Sequence, residues 1–77
     1  MRGGNIMEMI SVQSTDLAAV GYDADTLTLV VDFVKGGRYQ YSGVPAEVHE
    51  GLMNAPSKGT YFNQNIRKAG YSYIRLS

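Results

Sequence analysis

The feature that most constrains the fold is a run of alternating side chains in the middle of the chain. In residues 26–34, every odd-numbered position carries a large apolar side chain: Leu27, Leu29, Val31 and Phe33. Alternation with a period of two indicates a β-strand with one face packed on a core. The even-numbered positions include Thr28 and Asp32, so the other face is predicted to be mixed and to lie nearer to water.

Turn residues on both sides of this strand predict antiparallel neighbours. Before it, Asp23 and Asp25 favour a tight turn by bonding their own backbone, which makes residues 17–22 a partner strand. After it, Gly36-Gly37 suits a hairpin turn that requires positive φ angles. Residues 38–41 then form a third strand with Tyr39 and Tyr41 on one face, and residues 9–13 and 71–76 are predicted as further short strands.

Two helices are predicted between residues 45 and 70. Pro45 suits the first position of a helix, and the proline at position 56 ends that helix near Asn54. Ser57 is the predicted N-cap of the second helix, with Phe62, Ile66 and Ala69 as its apolar stripe. The predicted fold class is therefore α+β, an antiparallel β-meander of three or more strands packed on one face by two short helices.

Length and composition predict one domain. Residues 9–77 are assigned to it, and residues 1–8 are predicted to be a flexible leader. The chain has 77 residues and no cysteine, which excludes disulfides and thiolate zinc sites and suits a reducing compartment. No apolar run is long enough for a membrane-spanning helix, so we expect a cytoplasmic protein without a membrane partner.

Charge is segregated along the chain although the formal net charge is zero. Residues 1–34 carry one basic and five acidic side chains, whereas residues 35–77 carry six basic and two acidic ones. Such asymmetry is typical of a face that binds a polyanion. The alternative is that an antiparallel fold interleaves the two halves and cancels the field, and the sequence pI of about 6.5 favours that alternative.

No pattern in the sequence predicts catalysis, a metal site or a cofactor. His49 is the only histidine, and it lacks the nucleophile or second histidine that a hydrolase or metal site requires, so we interpret it as a surface residue. Asp23 to Asp25 resembles the start of a calcium loop, but Thr28 and Val34 occupy the positions that need Gly and Glu. We therefore expect a protein that is not an enzyme.

Polar residues of the second helix form a ridge opposite its apolar stripe: Thr60, Asn63, Gln64 and Arg67. Amide and guanidinium groups pair with base edges and phosphate oxygens, although an ordinary solvated helix face has the same character. The six tyrosines allow two interpretations as well. They stack on unpaired bases if exposed, or replace other large residues in the core. We expect Tyr39 and Tyr41 in the core or at its rim, and Tyr71 and Tyr73 to be partly exposed.

Short motifs in a fixed order resemble the KTSC domain family over residues 12–76. The motifs are Gly21-Tyr22-Asp23, Tyr39-Gln40-Tyr41, Val44-Pro45, Ser57-Lys58-Gly59, Tyr61-Phe62-Asn63, Ile66-Arg67 and the segment from Tyr71 to Leu76. That family is named after a C-terminal segment of some lysyl-tRNA synthetases and also occurs alone in small bacterial and phage proteins. The family has no established activity for the resemblance to carry over, and nucleic-acid binding has been proposed for it chiefly from its association with a tRNA synthetase.

The sequence thus predicts a small non-catalytic binding module, with RNA or single-stranded nucleic acid as the first candidate ligand, bound weakly. The residues predicted to contact it are Arg38, Lys58, Asn63, Gln64, Arg67, Lys68 and Arg75. The alternative is a protein-interaction or homodimerisation module that acts through an edge strand. Val30 and Val34, which are predicted on the exposed side of the sheet, would suit such a contact.

Overall fold

Five antiparallel strands and two helices form the part of the chain that the computed structural model describes, residues 7–77. The strands are β1 (Ile10–Ser11), β2 (Leu17–Asp23), β3 (Thr28–Phe33), β4 (Arg38–Tyr41) and β5 (Tyr73–Arg75). Helix α1 (Ala46–Asn54) and helix α2 (Lys58–Phe62) lie between β4 and β5, and α2 continues into a π-helical turn (Asn63–Arg67). The sheet order follows the chain, β1-β2-β3-β4-β5. The predicted α+β meander with two short helices is confirmed.

The turns around β3 follow the predicted chemistry, with one difference at its start. The Asp23 carboxylate accepts a hydrogen bond from the Asp25 N–H at 2.9 Å, and Gly36 and Gly37 have φ angles of +110° and +98°. Leu27, however, has a φ of +56° and belongs to the turn, where its side chain is 41% exposed. The apolar run therefore enters the sheet only at Thr28, one residue after the first leucine.

The core lies between one face of the sheet and the two helices. Leu29 and Val31 from β3 are completely buried there, together with Leu52 of α1 and Ile66 of the π-helical turn. Tyr41 of β4 is also buried, as predicted, and Tyr39 packs against the cluster. This face of the sheet is the core face, and the surface that it shares with α2 contains the site described below.

The second face of the sheet is more covered than the sequence predicts. Val30 was expected on an exposed side, but it is only 5% exposed. Its cross-strand partner is Gly21, and a Cβ at Gly21 would lie 2.8 Å from Met7 Sδ and 2.6 Å from Met9 Sδ. The missing side chain leaves space for these two methionines beside Val30. The predicted leader falls mostly on residues 1–6, which lie outside the described residues.

The helices begin and end close to the predicted residues, except in the second half of the second helix. Pro45 is extended and caps α1 rather than opening it, and the side chain of Ser57 accepts the Thr60 N–H at the start of α2. Beyond Phe62 the backbone follows the π-helical pattern, in which an N–H bonds the carbonyl five residues earlier. Lys68 N–H thus donates to the Asn63 carbonyl at 3.1 Å. The predicted apolar stripe was wrong at Ala69, which is exposed because the helix ends before it.

Candidate functional site, an aromatic cleft

A cleft of about 460 Å³ lies between the sheet and α2 with its π-helical turn. The alternation of β4 and β5 brings Tyr39, Tyr41 and Tyr73 to the core face, because Tyr41 pairs with Tyr73 and Tyr39 pairs with Arg75. All three rings line the cleft. Its volume falls within the usual range for small-ligand sites. We call this feature the tyrosine cleft.

The three tyrosines form a continuous aromatic floor. The Tyr41 and Tyr73 ring centroids are 5.4 Å apart, and those of Tyr39 and Tyr73 are 5.9 Å apart. Phe62 of α2 meets Tyr41 edge to face at 5.5 Å and closes the inner side. Tyr73 is 59% exposed, so part of its ring meets solvent and is accessible to a planar ligand.

The hydroxyl of Tyr41 is a polar group in the cleft that has no hydrogen-bond partner among residues 7–77. The residue is 6% exposed, and burial raises the pKa of its phenol above the usual value. The neighbouring Tyr73 raises that pKa further, whereas the Arg67 guanidinium opposes the shift. The group therefore stays protonated and is available to a ligand as a donor or an acceptor.

Basic and amide groups stand at the edges of the cleft. Arg67 and Asn63 come from the π-helical turn, and Lys35 comes from the β3–β4 hairpin. Within residues 7–77, Arg67 and Lys35 make no ion pair. Outside the cleft lining, the Arg75 guanidinium lies 5.6 Å from the Tyr39 ring centre and its Nε donates to the Ser77 carbonyl at 3.0 Å. Phosphate groups of a ligand would therefore meet unpaired cations beside the aromatic floor.

One carboxylate also lines the cleft, at the end where α2 begins. The Ser14 hydroxyl accepts the backbone N–H groups of Asp16 and Leu17, at 3.1 and 3.2 Å, which holds the chain in a turn before β2. The Asp16 side chain lies against the backbone of Gly59, where a Cβ would be 3.2 Å from Asp16 Cγ. In the described part of the chain, its carboxylate oxygens accept no hydrogen bond and form no ion pair.

The structure brings together some of the residues predicted to bind nucleic acid. Asn63 and Arg67 line the tyrosine cleft, and Arg75 lies on the same face above Tyr39. Gln64 and Lys68 are exposed on the outer side of the helix and do not line the cleft. The polar ridge thus divides, because the wider π-helical turn rotates successive side chains by less than an α-helix does.

Two of the predicted residues lie elsewhere. Arg38 pairs with Asp32 on the second face of the sheet, through a bidentate contact at 2.6 and 2.9 Å. Side chains alternate between the two faces along β4, so Arg38 lies on the second face because Tyr39 and Tyr41 lie on the core face. Lys58 donates to the Ala55 carbonyl at 3.2 Å, at the junction of the two helices. Neither residue lines the cleft.

Sequence reasoning missed Asp16 and Lys35, and it did not assign the tyrosines to the site. Both charged residues lie in turns, and only the pairing of β2 with β3 brings them to one end of the cleft, where Val34 N–H donates to the Asp16 carbonyl at 2.9 Å. The tyrosines carried a usable signal, because alternation places Tyr39 with Tyr41 and Tyr71 with Tyr73. The expectation of a partly exposed ring is confirmed for Tyr73, which is 59% exposed.

His49 differs from its predicted position on the outer side of α1. Its ring is half-buried and stacks on Tyr22, with centroids 4.4 Å apart and planes 9° from parallel. Burial lowers the pKa of His49, and the nearby Glu50 partly opposes the shift. Tyr22 in turn donates its hydroxyl to the Val44 carbonyl at 2.6 Å. His49 is thus a packing residue that joins α1 to β2.

Residues 7–77 contain neither a metal-binding cluster nor a membrane-spanning helix. Among residues 7–77, no group of three or more His, Asp or Glu side chains is arranged to hold a metal ion. None of the helices in this part of the chain has the length and apolar character needed to cross a membrane.

Comparison with known proteins places the chain in a family. A small uncharacterized protein of Stutzerimonas stutzeri is 39% identical over 70 residues, which cover 91% of this chain and 99% of that protein. The lysine–tRNA ligase of Nostoc sp. is 39% identical over 90% of this chain, but the match covers only 12% of the ligase. The lysine–tRNA ligase of Trichormus variabilis is 46% identical over 73% of this chain and 10% of its own length.

Solved structures and family models agree with these sequence matches. The crystal structure of a KTSC domain protein from Yersinia pestis superposes with a TM-score of 0.88 at 35% identity, covering 94% of this chain and all of that one. The model of the KTSC domain matches residues 13–71. The resemblance seen in the sequence motifs is therefore confirmed, and this chain belongs to the KTSC domain family.

Proposed function

We propose that this domain is a non-catalytic module that binds single-stranded nucleic acid, RNA in particular, in the tyrosine cleft. The observation that carries the proposal is the partly exposed ring of Tyr73 beside the Tyr41 hydroxyl, with unpaired Arg67 and Lys35 at the rim. Proteins that bind single strands combine aromatic rings for the bases with cations for the backbone. We propose that the domain acts in the cytoplasm.

The energetics favour a short, weak contact. A base stacked on an aromatic side chain contributes about 1–3 kcal/mol. The cleft volume of about 460 Å³ suits one or two nucleotides. With Arg67, Lys35 and Arg75 as the phosphate contacts, the logarithm of the affinity should fall with the logarithm of salt concentration with a slope of about −2.

The relatives support RNA as the first ligand to test. This chain resembles a segment of lysine–tRNA ligases, whose name makes tRNA the molecule on which the whole ligase acts. The chain spans only about a tenth of the length of these ligases, so the activity of the whole ligase is not carried over to it. A segment that touches RNA is consistent with that context.

The test is a fluorescence anisotropy titration of labelled single-stranded RNA and DNA at low salt. Tyr73→Ala should weaken binding about 5- to 150-fold, the equivalent of one lost stacking contact. Ile74→Ala is the matched control, because Ile74 lies on the same strand, is 56% exposed and faces the second side of the sheet. No saturable binding below about 100 µM, where non-specific nucleic-acid affinities begin, would reject the proposal. So would equal losses in the two variants.

One observation favours the second candidate, homodimerisation or protein binding through an edge strand. In the described chain, β5 pairs only with β4, and Ile74 and Leu76 beside its free edge are 56% and 46% exposed. Unpaired backbone groups next to apolar side chains suit strand addition. Sedimentation would show a dimer that Ile74→Lys dissociates. A monomer at all concentrations would reject homodimerisation.

A further inference from the structure

Building on the proposed nucleic-acid binding, we infer that the tyrosine cleft selects guanine, with the Asp16 carboxylate reading its Watson–Crick edge. The carboxylate would accept hydrogen bonds from the N1–H and the exocyclic amino group of the base. The base would stack on the tyrosine floor, and its phosphate would lie beside Arg67. The inference concerns base preference, whereas the proposed function concerns binding itself.

The two charges lie at opposite ends of the cleft. Asp16 contacts Gly59 in the first turn of α2, and Arg67 is the last residue of the π-helical turn that continues it. At a rise of about 1.5 Å per residue, the backbone positions of Gly59 and Arg67 are on the order of 12 Å apart. That span is comparable to the distance between the Watson–Crick edge and the phosphate of one nucleotide. Three tyrosine rings line the same cleft as these two residues: Tyr39, Tyr41 and Tyr73.

The donor pattern of guanine matches a carboxylate better than that of the other bases. An ionised carboxylate only accepts hydrogen bonds and has two oxygens side by side. Guanine offers two adjacent N–H donors on its Watson–Crick edge. Adenine and cytosine place a ring nitrogen with a lone pair next to their amino group, and uracil places carbonyls on both sides of its single N–H. These acceptors repel a carboxylate, so only guanine makes the bidentate contact.

The described residues around Asp16 leave its carboxylate free to bind a ligand, and the nearby positive charge of Lys35 partly offsets its negative charge. Asp16 is exposed, and within residues 7–77 it has no ion pair that a ligand would need to displace. Lys35 lines the same end of the cleft from the β3–β4 hairpin. Its charge reduces the repulsion between the carboxylate and the phosphates of a bound strand.

The other end of the cleft suits the sugar and phosphate. The Tyr41 hydroxyl lies close enough to Arg67 for the guanidinium to influence it, and no described residue bonds it. A ribose hydroxyl or a phosphate oxygen would supply the missing partner. Asn63, one turn before Arg67, adds an amide that can serve the same groups.

The experiment compares uridine pentamers that carry one central guanosine, inosine, adenosine, cytidine or uridine. The guanosine pentamer should bind about 5- to 150-fold more tightly than the adenosine, cytidine and uridine pentamers, the usual range for one bidentate base contact. Inosine keeps N1–H but lacks the amino group, so its pentamer should fall between these. Asp16→Asn should remove the preference for guanosine, so that the guanosine and uridine pentamers bind this variant with similar affinity.

A second variant separates base reading from phosphate binding. Arg67→Met should weaken all five pentamers by a similar factor, because the phosphate is common to them. Thermal unfolding of both variants checks the fold, which we expect to be intact because both side chains are exposed.

The outcomes distinguish the two proposals. If all pentamers bind with equal affinity, or if the guanosine preference survives Asp16→Asn, the inference about Asp16 is overturned and the nucleic-acid function stands. If no pentamer binds, the proposed function fails as well.

Discussion

Phe62 is the residue on which the packing of α2 depends most directly. Its side chain is 3% exposed and meets Phe33 at 5.4 Å and Tyr41 at 5.5 Å, both edge to face. Each aromatic pair contributes about 0.5–1.5 kcal/mol beyond area burial, so Phe62→Leu loses about 1–3 kcal/mol from the two pairs. The altered shape in the core adds up to about 1.5 kcal/mol. We expect a total loss of about 1–4.5 kcal/mol in the free energy of unfolding.

That loss is large for a chain of this length. A domain of 77 residues is expected to have an unfolding free energy of about 4–12 kcal/mol, so the variant should fold but with a reduced margin. Urea denaturation followed by circular dichroism measures the change, and the midpoint should fall by about 1–4.5 M if the slope is on the order of 1 kcal/mol per molar.

A double-mutant cycle isolates the aromatic contribution. Phe33→Leu, Phe62→Leu and the double variant should give a coupling energy of about 0.5–1.5 kcal/mol, because the two rings are in direct contact. A loss below about 0.5 kcal/mol for Phe62→Leu, together with no measurable coupling, would refute the reasoning that these ring contacts hold α2 on the sheet.

Three further predictions concern the turn, the stacked histidine and the surface ion pair. Gly36→Ala should lower the free energy of unfolding by about 1–3 kcal/mol in urea denaturation, because its φ of +110° strains any residue with a Cβ, although no atom lies within 4 Å of that Cβ. Burial holds the folded-state pKa of His49 below its usual value of 6.5, so the unfolded chain binds more protons and stability should decrease as the pH falls from 6.5 through the folded-state pKa. Melting temperatures of His49→Gln should lack this decrease, and an unchanged profile would contradict the assignment. The hydrogen bond from Arg38 lowers the pKa of Asp32 from 3.8, against the opposing effect of burial, so its contribution is present above pH 3.8 and lost as the pH falls through the folded-state value. Arg38→Met should remove this loss of stability at acid pH. If the variant and the unmodified protein lose stability equally as the pH falls, the pair does not stabilise the fold.

The location of the proposed functional surface could not be predicted from local sequence patterns. Arg38 and Arg67 are both arginines in the basic half of the chain, and the sequence treats them alike. The structure separates them. Side-chain alternation along β4 puts Arg38 on the second face beside Asp32, whereas Arg67 of the π-helical turn lines the cleft. Asp16 and Lys35 come to one end of the cleft through the pairing of β2 with β3, which no local pattern encodes.

The sequence by itself determined the elements and their order. Alternation in β3, glycines in the hairpin and Ser57 at the start of α2 are local features, since each depends on the backbone preferences of a few neighbouring residues. Only the tertiary structure decided where Leu27 leaves the sheet, why Val30 is covered and how His49 comes to stack on Tyr22. Those outcomes depend on contacts between residues distant in sequence, and burial is a property of such contacts rather than of a residue type.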